Sequence, residues 1–149
     1  MGTRKYLVIL LILLSACSTL TVEQRIEQTG IRFAQAIANG QYSKAIDYYD
    51  HKEIIKIYGD IEFFTFFIES YFENTDKLTI NSPPELFPVD GSSTVAKIYT
   101  VKLDISIDGF RGFMFVRILH ELESDQIYVR SFNFTDLNNQ DLTDRILNR

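Results

Sequence analysis

The chain has two histidines, His51 and His120, and both stand next to carboxylates. Alternation through Phe110, Met114, Val116, Ile118, His120 and Leu122 puts His120 on the apolar side of a strand. If that side lines a pocket, a neutral imidazole there can act as a general base or hydrogen-bond a ligand, because histidine titrates near physiological pH. The same position also fits a strand end, half exposed beside Glu121 and Glu123. Asp47, Tyr48, Tyr49, Asp50 and His51 form the densest polar and aromatic cluster. Acid and tyrosine pairs can polarise a substrate carbonyl. Asp47 and His51, four apart on a helix, would equally make an ordinary surface pair. Two histidines would need carboxylates to complete a zinc shell, and no metal-spacing motif is present, so no metal or other cofactor is expected. Gly109-Phe110-Arg111-Gly112 has the letters of a loop that clamps nucleic-acid backbones, yet it falls at the Asp108-Gly109 hairpin signal and reads as turn chemistry. There is no Gly-rich phosphate loop and no nucleophile elbow. Binding rather than catalysis is the expectation, with an enzyme using His120 as the alternative.

The single cysteine offers chemistry of another kind. Arg4 and Lys5 precede an apolar run from Tyr6 to Leu14, which is followed by Ser15, Ala16 and Cys17. This is the layout of a secretory signal peptide, and the run is short of the roughly 20 residues that span a bilayer as a helix. Leu14-Ser15-Ala16-Cys17 resembles the lipobox of bacterial lipoproteins at every position. The resemblance implies cleavage before Cys17, a diacylglyceryl group on its sulfur, and an anchored envelope protein. It divides the chain into a signal peptide over 1–16, a lipidated tether over 17–21 and one domain over 22–149. Ser18, where an aspartate would favour the inner membrane, implies the periplasmic face of the outer membrane.

The chain of 149 residues is 46% hydrophobic and carries a formal charge of −5, which loss of Arg4 and Lys5 makes more negative. An acidic surface lacks the basic face that neutralises phosphates, so nucleic acid is excluded as a partner. Eight tyrosines and twelve phenylalanines suffice for a core, and one cysteine rules out an internal disulfide.

Elements must position the candidates. Thr21 with Gln24 reads as a capping box, and Val22, Ile26, Phe33, Ile37 and Ala38 mark one helix face up to Asn39-Gly40. Ser43 starts a second, short helix ending near Asp50-His51. Asp60 caps a third, aromatic helix reaching Asn74, whose glutamates form a narrow stripe, so most of its sides are expected to be covered. Beyond Pro83-Pro84 and Pro88 the period becomes two, predicting strands from Tyr99 to Ile107, Phe110 to Glu123 and Gln126 to Thr135, with a short helix or frayed tail after Asp136.

Helices followed by an antiparallel meander make an α+β fold, with N-terminal helices packed on a curved antiparallel sheet. The order resembles the nuclear transport factor 2-like superfamily, a cone with a pocket at its wide end. Ala36-Ile37-Ala38-Asn39-Gly40, Gln41-Tyr42-Ser43-Lys44-Ala45, the aromatic helix and the Asp108-Gly109 hairpin carry the likeness; members commonly have an acid where Gln41 stands. The resemblance implies a pocket between sheet and aromatic helix, with Tyr49, Phe67, Tyr71 and His120 as candidate lining residues. The expected partners are the membrane through Cys17, and a small apolar or amphiphilic ligand or an envelope protein. A basic protein captured by the acidic surface is the inhibitor-like alternative. Phe113, Phe115 and Leu119, opposite His120, offer a homodimer or partner face.

Overall fold

The computed structural model describes residues 20–72, 78–89, 93–107 and 110–138, without the side chains of 67, 68, 70–72, 107 and 110. Cys17, the Asp108-Gly109 turn and the C-terminal tail lie outside the described residues. Helix α1 (Val22–Ala38) begins at the expected capping box: the Thr21 N–H donates to Gln24 Oε1 at 2.9 Å, and the Gln24 N–H donates to Thr21 Oγ1 at 3.2 Å. Its buried stripe of Ile26, Gly30, Phe33 and Ile37 repeats every three or four residues.

The second helix ends earlier than expected, and a further helix follows where none was expected. Helix α2 (Tyr42–Ile46) stops, and α3 (His51–Tyr58) starts afresh with Asp50 Oδ1 accepting the Lys52 N–H at 2.9 Å. Asp50 is therefore the beginning of a helix rather than the end of one. The break is held from a distance, because the Tyr48 carbonyl accepts the Val129 N–H at 2.7 Å, and Tyr49 forms an isolated bridge with Val129. Gly59, at φ 81°, ends α3 in the left-handed conformation.

Helix α4 (Ile61–Phe72) carries the expected cap, with Asp60 Oδ1 accepting the Glu62 N–H at 2.6 Å. Its covering differs from the expectation. Phe64 is buried, but Phe63 and Phe66 remain 57% and 64% exposed. The reason is position: α4 packs beside α2 and α3, whereas α1 is the helix packed along the sheet.

The sheet joins β1 (Thr79–Ile80), β2 (Glu85–Pro88), β3 (Ala96–Ile107), β4 (Phe110–Glu121) and β5 (Ile127–Asp136), all antiparallel. It is ordered β1-β3-β4-β5, with β2 also paired to β3, and is not closed. Tyr99, Val101, Leu103 and Ile105 point to the core with Met114, Val116, Ile118 and His120, as the alternation requires. Leu122 falls in the following turn and is exposed. Phe113 and Phe115 stack edge to face on the opposite, half-buried side, where Lys102 Nζ lies 4.2 Å from the Phe113 ring centre. A register shift at Arg117/Ile118 opposite β5 lets both Val129 and Phe132 turn toward the core. The molecule is thus an α+β fold with its helices N-terminal to a curved antiparallel sheet.

Candidate functional site

Where the α2–α3 connection meets the outer edge of β5, the chain leaves a cavity of about 630 Å³. Its inner surface is apolar: Tyr49, Ile54, Phe64 and Val129 are nearly fully buried, and Phe132 is partly so. Aromatic contacts fix this surface. Tyr49 meets Phe64 edge-on at 5.2 Å, and Tyr58 stacks on Phe64 at 4.6 Å. Asp50, Glu53, Glu121, Tyr128 and Arg130 stand at its more exposed rim.

Burial, and secondarily Tyr58, push the Tyr49 phenol far above its ordinary value of 10.0, so it stays a neutral hydroxyl. The Tyr128 phenol is also raised, first by burial and then by the carboxylates of Glu121 and Asp50. It donates a hydrogen bond to the Gln126 side-chain oxygen.

Of the four residues proposed to line a pocket, Tyr49 lines this cavity. His120 is not among its described lining residues, and the side chains of Phe67 and Tyr71 lie outside the described ones. His120 is 6% exposed rather than half exposed. Its Nε2 lies 2.7 Å from Asp125 Oδ1, and Arg25 Nη2 reaches both oxygens of that carboxylate at 2.7 and 2.9 Å. An ionised carboxylate only accepts, so Nε2 carries the hydrogen and donates it. The buried Nδ1 has no hydrogen-bond partner among the described residues. Arg25, Asp125 and His120 thereby tie the start of α1 to the β4–β5 turn, where Asp125 itself takes a φ of 55°. Asp47 and His51 do not share a helix face, because the break between α2 and α3 separates them, and both are exposed.

The tie has a pH signature. The hydrogen bond from Arg25, then that from His120, hold the Asp125 carboxyl below its ordinary 3.8. Asp104 is lowered in the same way by Arg111 and Asn81. Each contributes stability that is fully present above the unfolded value and is lost as pH falls through the lower folded value, because the unfolded chain then binds more protons. Asp125→Asn should be less stable at neutral pH and should lose less stability than the parent between about pH 5 and pH 1. Chemical denaturation across that range checks it; an unchanged slope would show the tie to be energetically silent.

Helix α3 and the residues Glu53, Tyr58, Glu121, Tyr128 and Arg130 were not among the residues singled out from sequence. A signal for α3 existed: Asp50 as a cap, Ile54 and Tyr58 one turn apart, then Gly59. Nothing local marks Tyr128 or Arg130, which reach the cavity only because β5 is an edge strand. No family model, curated protein or solved structure matches this chain.

Proposed function

We propose that this chain is a lipid-anchored protein of the bacterial envelope whose single domain binds a small apolar or amphiphilic molecule in the cavity bounded by α3, α4 and β5. The observation that carries the binding half is the cavity itself. Its volume, apolar inner surface and few polar rim groups match the usual build of a small-molecule site, roughly 300–1,000 Å³. The anchoring half rests on Leu14-Ser15-Ala16-Cys17 behind a basic stub and an apolar run. Diacylglycerol with an acylated amine would give stable attachment, where a single chain gives little. Helices preceding a curved antiparallel sheet, with α1 along it, support membership of the nuclear transport factor 2-like superfamily. Such folds host many functions, so the cavity and not the fold carries the functional reading.

Mass spectrometry of the protein extracted from its host membrane tests both halves. Under denaturing conditions the expected chain begins at Cys17 and carries acyl groups; an unmodified cysteine would remove the anchor. Under native conditions a small noncovalent addition is expected. A homodimer or a bound protein with no small molecule would instead assign function to the Phe113 and Phe115 face.

A further inference from the structure

The charge around the cavity specifies which small molecule it takes, an inference that rests on reading the cavity as a ligand site. Asp50, Glu53 and Glu121 bring three carboxylates to the rim, and Arg130 is the one cation among the described lining residues. These carboxylates already have partners. Asp50 accepts from the Lys52 N–H, Glu121 Oε2 accepts from the Ser124 hydroxyl at 2.7 Å, and Glu53 meets Lys56 Nζ at 3.4 Å. None is used up. A carboxylate offers several lone-pair sites, and the Glu53–Lys56 pair is exposed on both sides, so a ligand donor can share it.

The carboxylates also act together. Asp50 at the start of α3, Glu53 within it and Glu121 at the end of β4 come from separate elements and line the same cavity. Tyr58 and Tyr128 line the same cavity, and aromatic rings attract cations. An anionic head group would meet three like charges and a single exposed arginine. A cationic one would meet opposite charge with its hydrocarbon already out of water.

We propose that the cavity binds an apolar organic cation, an alkyl or aryl amine whose body rests on Ile54, Phe64 and Phe132 and whose ammonium faces Asp50, Glu53 and Glu121. Calorimetric titration of the full chain with phenylbutylamine, phenylbutanol and phenylbutyrate tests this, since the three share one hydrocarbon and differ in head-group charge. The amine should bind about tenfold tighter than the alcohol and the carboxylate weakest, with the amine's advantage shrinking as salt is raised. In the double variant Glu53→Gln, Glu121→Gln, checked for parental circular dichroism, the amine should lose most of its advantage over the alcohol, Asp50 keeping the remainder, while the alcohol is unaffected. Should that variant fail to fold, the salt series on the parent decides alone. Binding of the alcohol with no amine advantage, or an advantage insensitive to salt, overturns the cation assignment and leaves the ligand site standing. Failure of all three to bind overturns both.

Discussion

Replacing Phe33 with alanine should lower stability by about 3–5 kcal/mol, the range for removing a fully buried aromatic ring. Phe33 has no exposed surface, and it meets Tyr49 edge-on at 5.6 Å and Phe132 at 5.5 Å. Those two rings form part of the cavity surface, so Phe33 stands behind the site and supports it. A loss of this size is a large part of the roughly 5–15 kcal/mol that holds a domain together. Phe33→Leu keeps most of the volume and should cost clearly less. Urea unfolding followed by far-UV circular dichroism is the suitable measurement, because the chain has no tryptophan to report by fluorescence. A Phe33→Ala loss below about 1 kcal/mol would place the centre of the core elsewhere. The variant should also bind apolar ligands more weakly, since Tyr49 and Phe132 lose the surface they rest on.

Gly30→Ala should destabilise despite improving the helix. In a helix interior alanine is favoured over glycine by about 1 kcal/mol. Here, however, an added Cβ would sit 2.9 Å from both Cβ and Cγ1 of Val101 and 3.0 Å from its Cγ2. Val101 is fully buried in β3, between β4 and β2, so its Cβ moves only with the strand. Overpacking of this kind costs about 1–3 kcal/mol, which outweighs the propensity gain and leaves a net loss of up to about 2 kcal/mol. The mechanism makes a sharper prediction through a double-mutant cycle. Val101→Ala alone opens a small void, but in the Gly30→Ala background it removes the Cγ1 and Cγ2 contacts while the Cβ contact stays, so the clash is relieved in part and the two changes should couple in the favourable direction by about 0.5–3 kcal/mol. Additive effects would mean that α1 shifts freely away from the sheet and that the close approach is not a constraint.

The two sites show how differently local and distant information act. Capping at Thr21, the apolar face of α1 and the alternation of β3 and β4 were legible because each depends on neighbours within one or two turns or along one strand. Gly30 was not, since a glycine in a helix says nothing until the residue opposite it is known. His120 was placed on the correct face by strand parity, yet its burial was not foreseeable: the residue that closes over it, Asp125, is set by a turn, and Arg25 arrives from a hundred residues away in the chain.

The same limit governs the cavity. Tyr49 was recognisable as an aromatic in a polar cluster. Its part in a site depends on the bond from the Val129 N–H to the Tyr48 carbonyl, which stops α2, frees Asp50 to cap α3 and turns the rim residues of β5 toward that helix. Aromatic spacing in α4 correctly predicted a helix but not its exposed Phe63 and Phe66, because periodicity reports which residues share a face and not whether anything lies against it. By itself the sequence determined α1, α4 and the three long strands, their order, the faces of those strands and the acidic balance of the chain, all of which follow from local chemistry and period. Only the tertiary structure decided which helix lies along the sheet, where the outer edge of β5 takes up the α2–α3 connection and which carboxylates line one cavity, because those depend on contacts between residues that the chain keeps far apart.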